Sequence, residues 1–213
     1  YEIRNCDWSS DVCSSDLRRF VHRDPAELLV RVGPIGKVSR TETTVCSCGH
    51  TSRGAPVVSQ TLLVDAPLHA STLEELLSDL RKTETIRGPN GYACPRCQKA
   101  CSKHGDESCD CTFEATRQSV VTPLGGILCI EVKRAWKEDG SLDPVPVHIP
   151  QSLEHYPGYE FRSCIVHKGC RSESGHYIAY RKDDCGSFCC DDHRVWETEG
   201  AETRSKYASL LFY

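Results

Sequence analysis

Four cysteines in two short pairs are the first residues spaced for chemistry. Cys46-x-Cys48 and Cys94-x-x-Cys97 are separated by 45 residues. Thiolates two or three residues apart can turn onto one tetrahedral ion at about 2.3 Å. Brought together, the two pairs make a closed four-thiolate site with no position left for water. That predicts a structural zinc at Cys46, Cys48, Cys94 and Cys97. The plainer alternatives are four buried free thiols, or a degenerate site without metal. His50 falls just beyond the first pair. Cys101, His104, Cys109 and Cys111 could form a second site, but they lack a C-x-x-C and fall in a polar, Cys-rich stretch read as an inserted loop.

His176 and the acids Asp191 and Asp192 are the second set. His176 follows a small Ser/Gly stretch and opens the apolar run "HYIAY". A strand, a turn and a return strand would set His176 opposite Asp191. A carboxylate so placed holds an imidazole in one tautomer and stabilises its charged form. The plain reading is a structural His beside two surface acids, and the pair alone leaves both readings open.

The head of the chain bears on what can supply a nucleophile. A common sequencing adapter, translated in one frame, encodes Asp7 to Asp16 and then Leu17, and its upstream part encodes Tyr1-Glu2. Residues 1–17 are therefore expected to be translated adapter, a disordered artefact set aside as one would a cloning scar. The alternative is a natural disordered leader. On the first reading Cys6 and Cys13 are neither ligands nor nucleophiles, and the authentic sequence upstream of Arg18 is missing.

Removing Arg4 from 26 basic residues, and Glu2, Asp7, Asp11 and Asp16 from 30 acidic ones, leaves 25 and 26, a net charge of −1. Such a balance gives no basic field for nucleic acid. No apolar run approaches the roughly 18 residues of a membrane span. Thirteen of the fifteen cysteines remain. An odd count without a secretory signal argues against a pure disulfide framework. The expected compartment is intracellular, cytoplasm or nucleus.

The elements that must position these residues follow from pattern. In "HRDPAELLVRV" (22–32), Asp24 reads as an N-cap, Pro25 as the first helical residue and Glu27 as the returning carboxylate. "APVVSQTLLVDAPL" reads as a strand. "STLEELLSDLRKTE" (71–84) reads as a helix capped by Ser71 and Glu74, with Leu73, Leu76, Leu77 and Leu80 on one stripe. "GGILCIEVKRA", "YEFRSCIVH", "GHYIAYRK", "GSFCCDDHRVWE" and "ASLLFY" read as strands. Helices early and strands late make an α+β class with a mostly antiparallel second half.

Taken in order, "HRDPAELL", the two cysteine pairs, "GPNGYACPRC", "ILCIEVKRA", "GHYIAY", the Asp191-Asp192 pair and "YASLLFY" resemble the ubiquitin-specific proteases, deubiquitinating cysteine peptidases. The likeness runs from Arg18 to Tyr213. It implies a papain-like hand fold of thumb, zinc-bearing fingers and palm. Residues 18–33 would be a remnant thumb helix, about 37–60 and 89–120 the fingers, and about 61–88 and 121–213 the palm. It implies ubiquitin and ubiquitinated proteins as partners, with cleavage after ubiquitin's C-terminal glycine. It carries over His176 as catalytic base, Asp191 as the residue orienting it, Asp192 as an acid polarising the site or supporting the oxyanion, and the four cysteines as zinc ligands.

The family's cysteine box is absent, and in the family it precedes the "HRDPAELL" position. Cys170, in "HKGCRSES", lies near His176 in sequence but in a loop the family uses for substrate contact. The expectation is therefore a chain without its nucleophile, inactive alone. A catalytically dead ubiquitin-binding scaffold and an unrelated zinc-binding interaction module remain as alternatives. Three departures stand out: Arg134-Ala135 where an Arg-Phe pair is usual, Cys190 where an aromatic precedes the acids, and C-x-C in the first knuckle.

Overall fold

The computed structural model describes residues 35–66, 69, 71–102, 112–134, 145–171, 174–199 and 207–213. Segment 22–32, His104, Cys109, Cys111, Ser172 and Glu173 lie outside them. In chain order the elements are β1 (Val38–Cys46), β2 (Thr51–Arg53), β3 (Val57–Ser59), β4 (Leu62–Asp65), β5 (Ser71–Thr72), α1 (Leu73–Asp79) and β6 (Glu84–Ile86). There follow α2 (Pro95–Ser102), β7 (Ala115–Pro123), β8 (Cys129–Lys133), β9 (Val147–His148), β10 (Ser163–Arg171), β11 (Ser174–Asp183), β12 (Gly186–Asp191), β13 (Arg194–Glu197) and β14 (Ala208–Phe212). The chain divides into two compact units.

Residues 38–59 and 78–124 form one unit. Its sheet is antiparallel, with the long strands β1 and β7 paired from Val38↔Pro123 to Cys46↔Ala115. β2 and β3 flank β1, and β6 flanks β7. The β-branched residues of "VSRTETTV" suit this pleated, half-buried surface. One end of β1 buries Val38, the other Thr44 and Cys46. Between them Arg40 donates from Nε and Nη2 to Ser119 Oγ at 3.2 and 3.0 Å.

The other unit holds residues 60–77 and 125–213, with Ile35–Lys37. Its seven-stranded sheet runs β13-β12-β11-β10-β14-β8-β4. All neighbours are antiparallel except β4 and β8. Interior strand β14 buries Ala208, Leu210 and Leu211, and its neighbour β8 buries Cys129, Ile130 and Val132. Leu128 and Tyr213 exchange two backbone hydrogen bonds of 2.9 Å, closing the C-terminus onto the start of β8. Arg134 is buried, and its guanidinium donates to the carbonyls of Ala208 and Val145.

Three expectations are corrected in detail. The stretch 55–68 is two strands, β3 and β4, belonging to different units and sheets. Gln60 and Thr61 interrupt the run. The helix expected over 71–84 spans only Leu73–Asp79. Its cap is one residue later: Glu75 N–H donates to Thr72 Oγ1 at 3.1 Å, and Thr72 N–H to Glu75 Oε2 at 2.7 Å. Both residues make a capping box, so either register fits the sequence rule. At its end Arg81 and Lys82 bond back three residues, to Ser78 and Asp79, a tightened turn that stops the helix. The stretch read as an inserted loop begins with helix, since α2 continues through Lys99, Ala100, Cys101 and Ser102.

Candidate functional site

The first centre is built in the unit of residues 38–59 and 78–124. The chain turns directly after β1: Gly49 N–H donates to Cys46 O at 2.8 Å, and Cys46 N–H to His50 O at 2.9 Å. Gly49 takes φ +81, a value L side chains rarely adopt. That turn brings Cys48 beside Cys46. In the second knuckle Cys94 sits just before α2, with Pro95 as the first helical residue and Gln98 N–H bonded to Cys94 O at 2.9 Å. Cys97 lies in the first turn of α2.

The four Sγ atoms lie within 4.8 Å of one another. Cys46 to Cys97 and Cys48 to Cys94 are both 3.8 Å. A tetrahedral ion with bonds of about 2.3 Å holds its sulfurs about 3.8 Å apart. A disulfide would need about 2.05 Å, and all four are free thiols. The Cys48 backbone N–H, with smaller effects from neighbouring thiols, lowers Cys46 to about 7. The Cys48 thiol, burial and the other two thiols push Cys97 up. The set cannot ionise fully without compensating positive charge. These residues could therefore hold one divalent ion.

The second centre lies at one end of the seven-stranded sheet. β11 and β12 pair with Ala179 opposite Cys190 and Tyr180 opposite Cys189. Continued by one residue, this register puts Asp191 opposite Ile178, with His176 two residues further along β11. The two side chains therefore meet diagonally rather than directly across, on the face that carries buried Ile178, Tyr180 and Cys189. His176 Nε2 is hydrogen-bonded to Asp191 Oδ1. With Nε2 so engaged, the neutral ring keeps its lone pair on Nδ1, so Nδ1 is the nitrogen able to take a proton. The bond from His176 holds the Asp191 carboxyl below its usual range, against a small cost of burial. Charges on His176, Lys168 and Arg194 add to the lowering.

Asp192 and His193 form the two-residue turn to β13, and Asp192 has φ 50. A tight hairpin needs such a residue, and Asp tolerates it. Its carboxylate lies within 4.8 Å of His176 and Asp191. Nearby Lys168 and Arg194 disfavour a resident cation there.

Residues 18–213 match the family described as "Ubiquitin carboxyl-terminal hydrolase". The chain belongs to that family. Ubiquitin carboxyl-terminal hydrolase 25 of Arabidopsis thaliana is 28% identical over 190 residues, 84% of this chain and 27% of the relative. Ubiquitin carboxyl-terminal hydrolase 17-like protein D of Mus musculus is 26% identical over 164 residues, 70% of this chain and 28% of the relative. The chain thus spans about a quarter of the length of these relatives. In the SAGA DUB module of Ubp8, Sgf11, Sus1 and Sgf73 bound to monoubiquitin, one chain superposes with TM-score 0.65 at 24% identity, over 84% of this chain and 40% of that one. That likeness shows the fold, the papain-like class of ubiquitin-specific proteases.

This ubiquitin-specific protease family member holds two further features that sequence reading missed. Glu74, expected as a cap, instead binds the His155 ring and accepts from Glu154 N–H at 2.8 Å. A His–carboxylate contact is thus not by itself a mark of catalysis in this molecule. The cations flanking Asp191 were also missed, though counting strand register from Asp191 would have found Arg194. Among the described residues, no cysteine thiol is hydrogen-bonded to His176, and no helix is long and apolar enough to cross a membrane.

Proposed function

We propose that this chain is the base-bearing part of a deubiquitinating cysteine peptidase, hydrolysing the isopeptide or peptide bond at ubiquitin's C-terminal glycine. One observation carries the reading. The hydrogen-bonded His176–Asp191 pair stands at the end of a core-facing stripe, in a chain matching the family over residues 18–213. Ubiquitin as partner is supported by the relatives' names and by the SAGA module's bound monoubiquitin.

In this reading a cysteine thiol gives its proton to Nδ1 of His176, and the thiolate attacks the glycine carbonyl. The carbon–nitrogen bond then breaks while the imidazolium returns the proton to the leaving amine. His176 next takes a proton from water, which hydrolyses the thioester. Asp191 holds Nε2 throughout and stabilises the charged ring. Asp192 polarises the site from the solvent side.

Zinc is the ion assigned to Cys46, Cys48, Cys94 and Cys97, since four thiolates with no open position suit it. Bound zinc would supply a structural cross-link and no step of the chemistry. About 37–60 and 89–120 are then the fingers, and about 61–88 and 121–213 the palm. The nucleophile lies outside the residues assigned here, so the 213-residue chain is expected to be inactive alone.

The test is hydrolysis of a ubiquitin–fluorophore conjugate by this chain alone, and by the chain preceded by a cysteine-box segment of the family. The first should give no turnover and the second should. Turnover by the chain alone would reveal an unassigned nucleophile. Tight ubiquitin binding without turnover in the second would favour a ubiquitin-binding scaffold.

A further inference from the structure

At the end of the seven-stranded sheet, four side chains of alternating chemistry share one face in four neighbouring strands. Lys168 of β10 pairs with His176 of β11, and Asp191 of β12 pairs with Arg194 of β13. Paired residues project to the same side. Lys168 continues the stripe of Cys164 and Val166, both buried, and Arg194 shares its face with Trp196, the partner of buried Cys189. The row reads cation, imidazole, carboxylate, cation.

The row has an electrostatic problem to solve. Asp192 lies within 4.8 Å of the His176–Asp191 pair. Two carboxylates so close favour proton uptake by one of them. A protonated Asp191 would hold His176 less firmly and would not stabilise its charged form. The charged and titratable groups around Asp191 are His176 from β11, Asp192 from the turn, Arg194 from β13 and Lys168 from β10. Only Arg194 and Lys168 bring a permanent positive charge. Among the described residues, neither makes an ion pair within 4 Å with Asp191, so each acts through space.

We propose that Arg194, with Lys168 on the far side, is a positioning residue that offsets the charge of Asp192 and keeps Asp191 ionised against His176. The inference rests on the reading of His176 and Asp191 as base and orienting acid. The direction of the Asp191 shift, to which both cations contribute, agrees with it. Arg suits the role because it stays charged at every working pH. Its exposure keeps the effect modest.

The test is a charge series at one position: Arg194→Lys, Arg194→Gln and Arg194→Glu. The Asp191 carboxyl carbon is titrated by NMR in the 213-residue chain. Separately, kcat and KM for a ubiquitin–fluorophore conjugate are measured against pH in the chain preceded by the cysteine segment. The titration midpoint should rise from Lys to Gln to Glu. At the acid end, kcat should fall roughly two- to fivefold in Arg194→Gln and further in Arg194→Glu, with KM unchanged and Arg194→Lys near wild type. A midpoint that ignores the charge at 194, or equal kcat losses in all three variants, would overturn the proposal. An ordered midpoint series without any turnover would support the row and count against the enzymatic reading.

Discussion

His176 reaches Asp191 diagonally across β11 and β12, two residues beyond the position that strand register sets opposite the acid. The diagonal places both on the core-facing side, at the sheet end where burial gives way to solvent. The ring is thereby held through Nε2, and Nδ1 is left as the nitrogen able to take a proton.

Substitution of the acid should therefore separate orientation from charge. Asn at 191 keeps an oxygen that accepts from Nε2–H, whereas Ala keeps nothing. In the cysteine-bearing chain, Asp191→Asn should lower kcat about tenfold and Asp191→Ala about a hundredfold. Equal losses would show that the oxygen at 191 does not orient the ring.

The pair also has a defined pH signature. A carboxylate with a lowered folded pKa adds stability that is fully present above its unfolded value, about 3.9. That stability is lost as pH falls through the folded value. The gap in unfolding free energy between wild type and His176→Gln should persist at about pH 6 and shrink below about pH 4. Urea unfolding at several pH values measures it, and a gap that widens toward acid would contradict the lowered Asp191.

Metal removal should act on one unit. Elemental analysis of the 213-residue chain should give one zinc at the four-thiolate site, absent in a Cys46→Ser/Cys94→Ser variant. Structural zinc contributes on the order of 10 kcal/mol to such small modules. Chelation should therefore abolish amide protection in β1 and β7 while sparing β8 and β14. Gly49→Ala should weaken zinc binding about tenfold, because a left-handed residue with a Cβ costs about 1–2 kcal/mol. A second zinc lost only with Cys109 and Cys111 would identify the loop as another site.

The helix cap offers a test inside the other unit. Thr72→Ala should cost about 1 kcal/mol, or a fall of about 2–4 °C in Tm. Ser71→Ala should cost nothing, since the Ser71 hydroxyl is buried without a partner among the described residues. Thermal unfolding of the two variants compares them, and the reverse order would restore the cap to Ser71.

What was legible in the sequence was local. The knuckle spacing and the strands over "GHYIAYRK" and "GSFCCDD" each follow from a few adjacent residues, and the four cysteines and strands β11 and β12 are found there. What was not legible depends on distant chain. Whether Ser71 or Thr72 caps α1 is settled by where Glu74 goes, and Glu74 goes to His155, 81 residues away. The split of 55–68 between two sheets depends on β1 and β8, which pair with its two halves. The diagonal at His176 depends on strand register, to which the pattern of side chains along one strand is blind.

The central claim is that His176 is the base of a ubiquitin-cleaving thiol. Its most direct test is the kcat/KM for a ubiquitin–fluorophore conjugate in the cysteine-bearing chain, with and without His176→Ala. Loss of the base should lower it by about a thousandfold or more, while zinc content stays near wild type. A variant that keeps activity within tenfold of wild type would contradict the assignment.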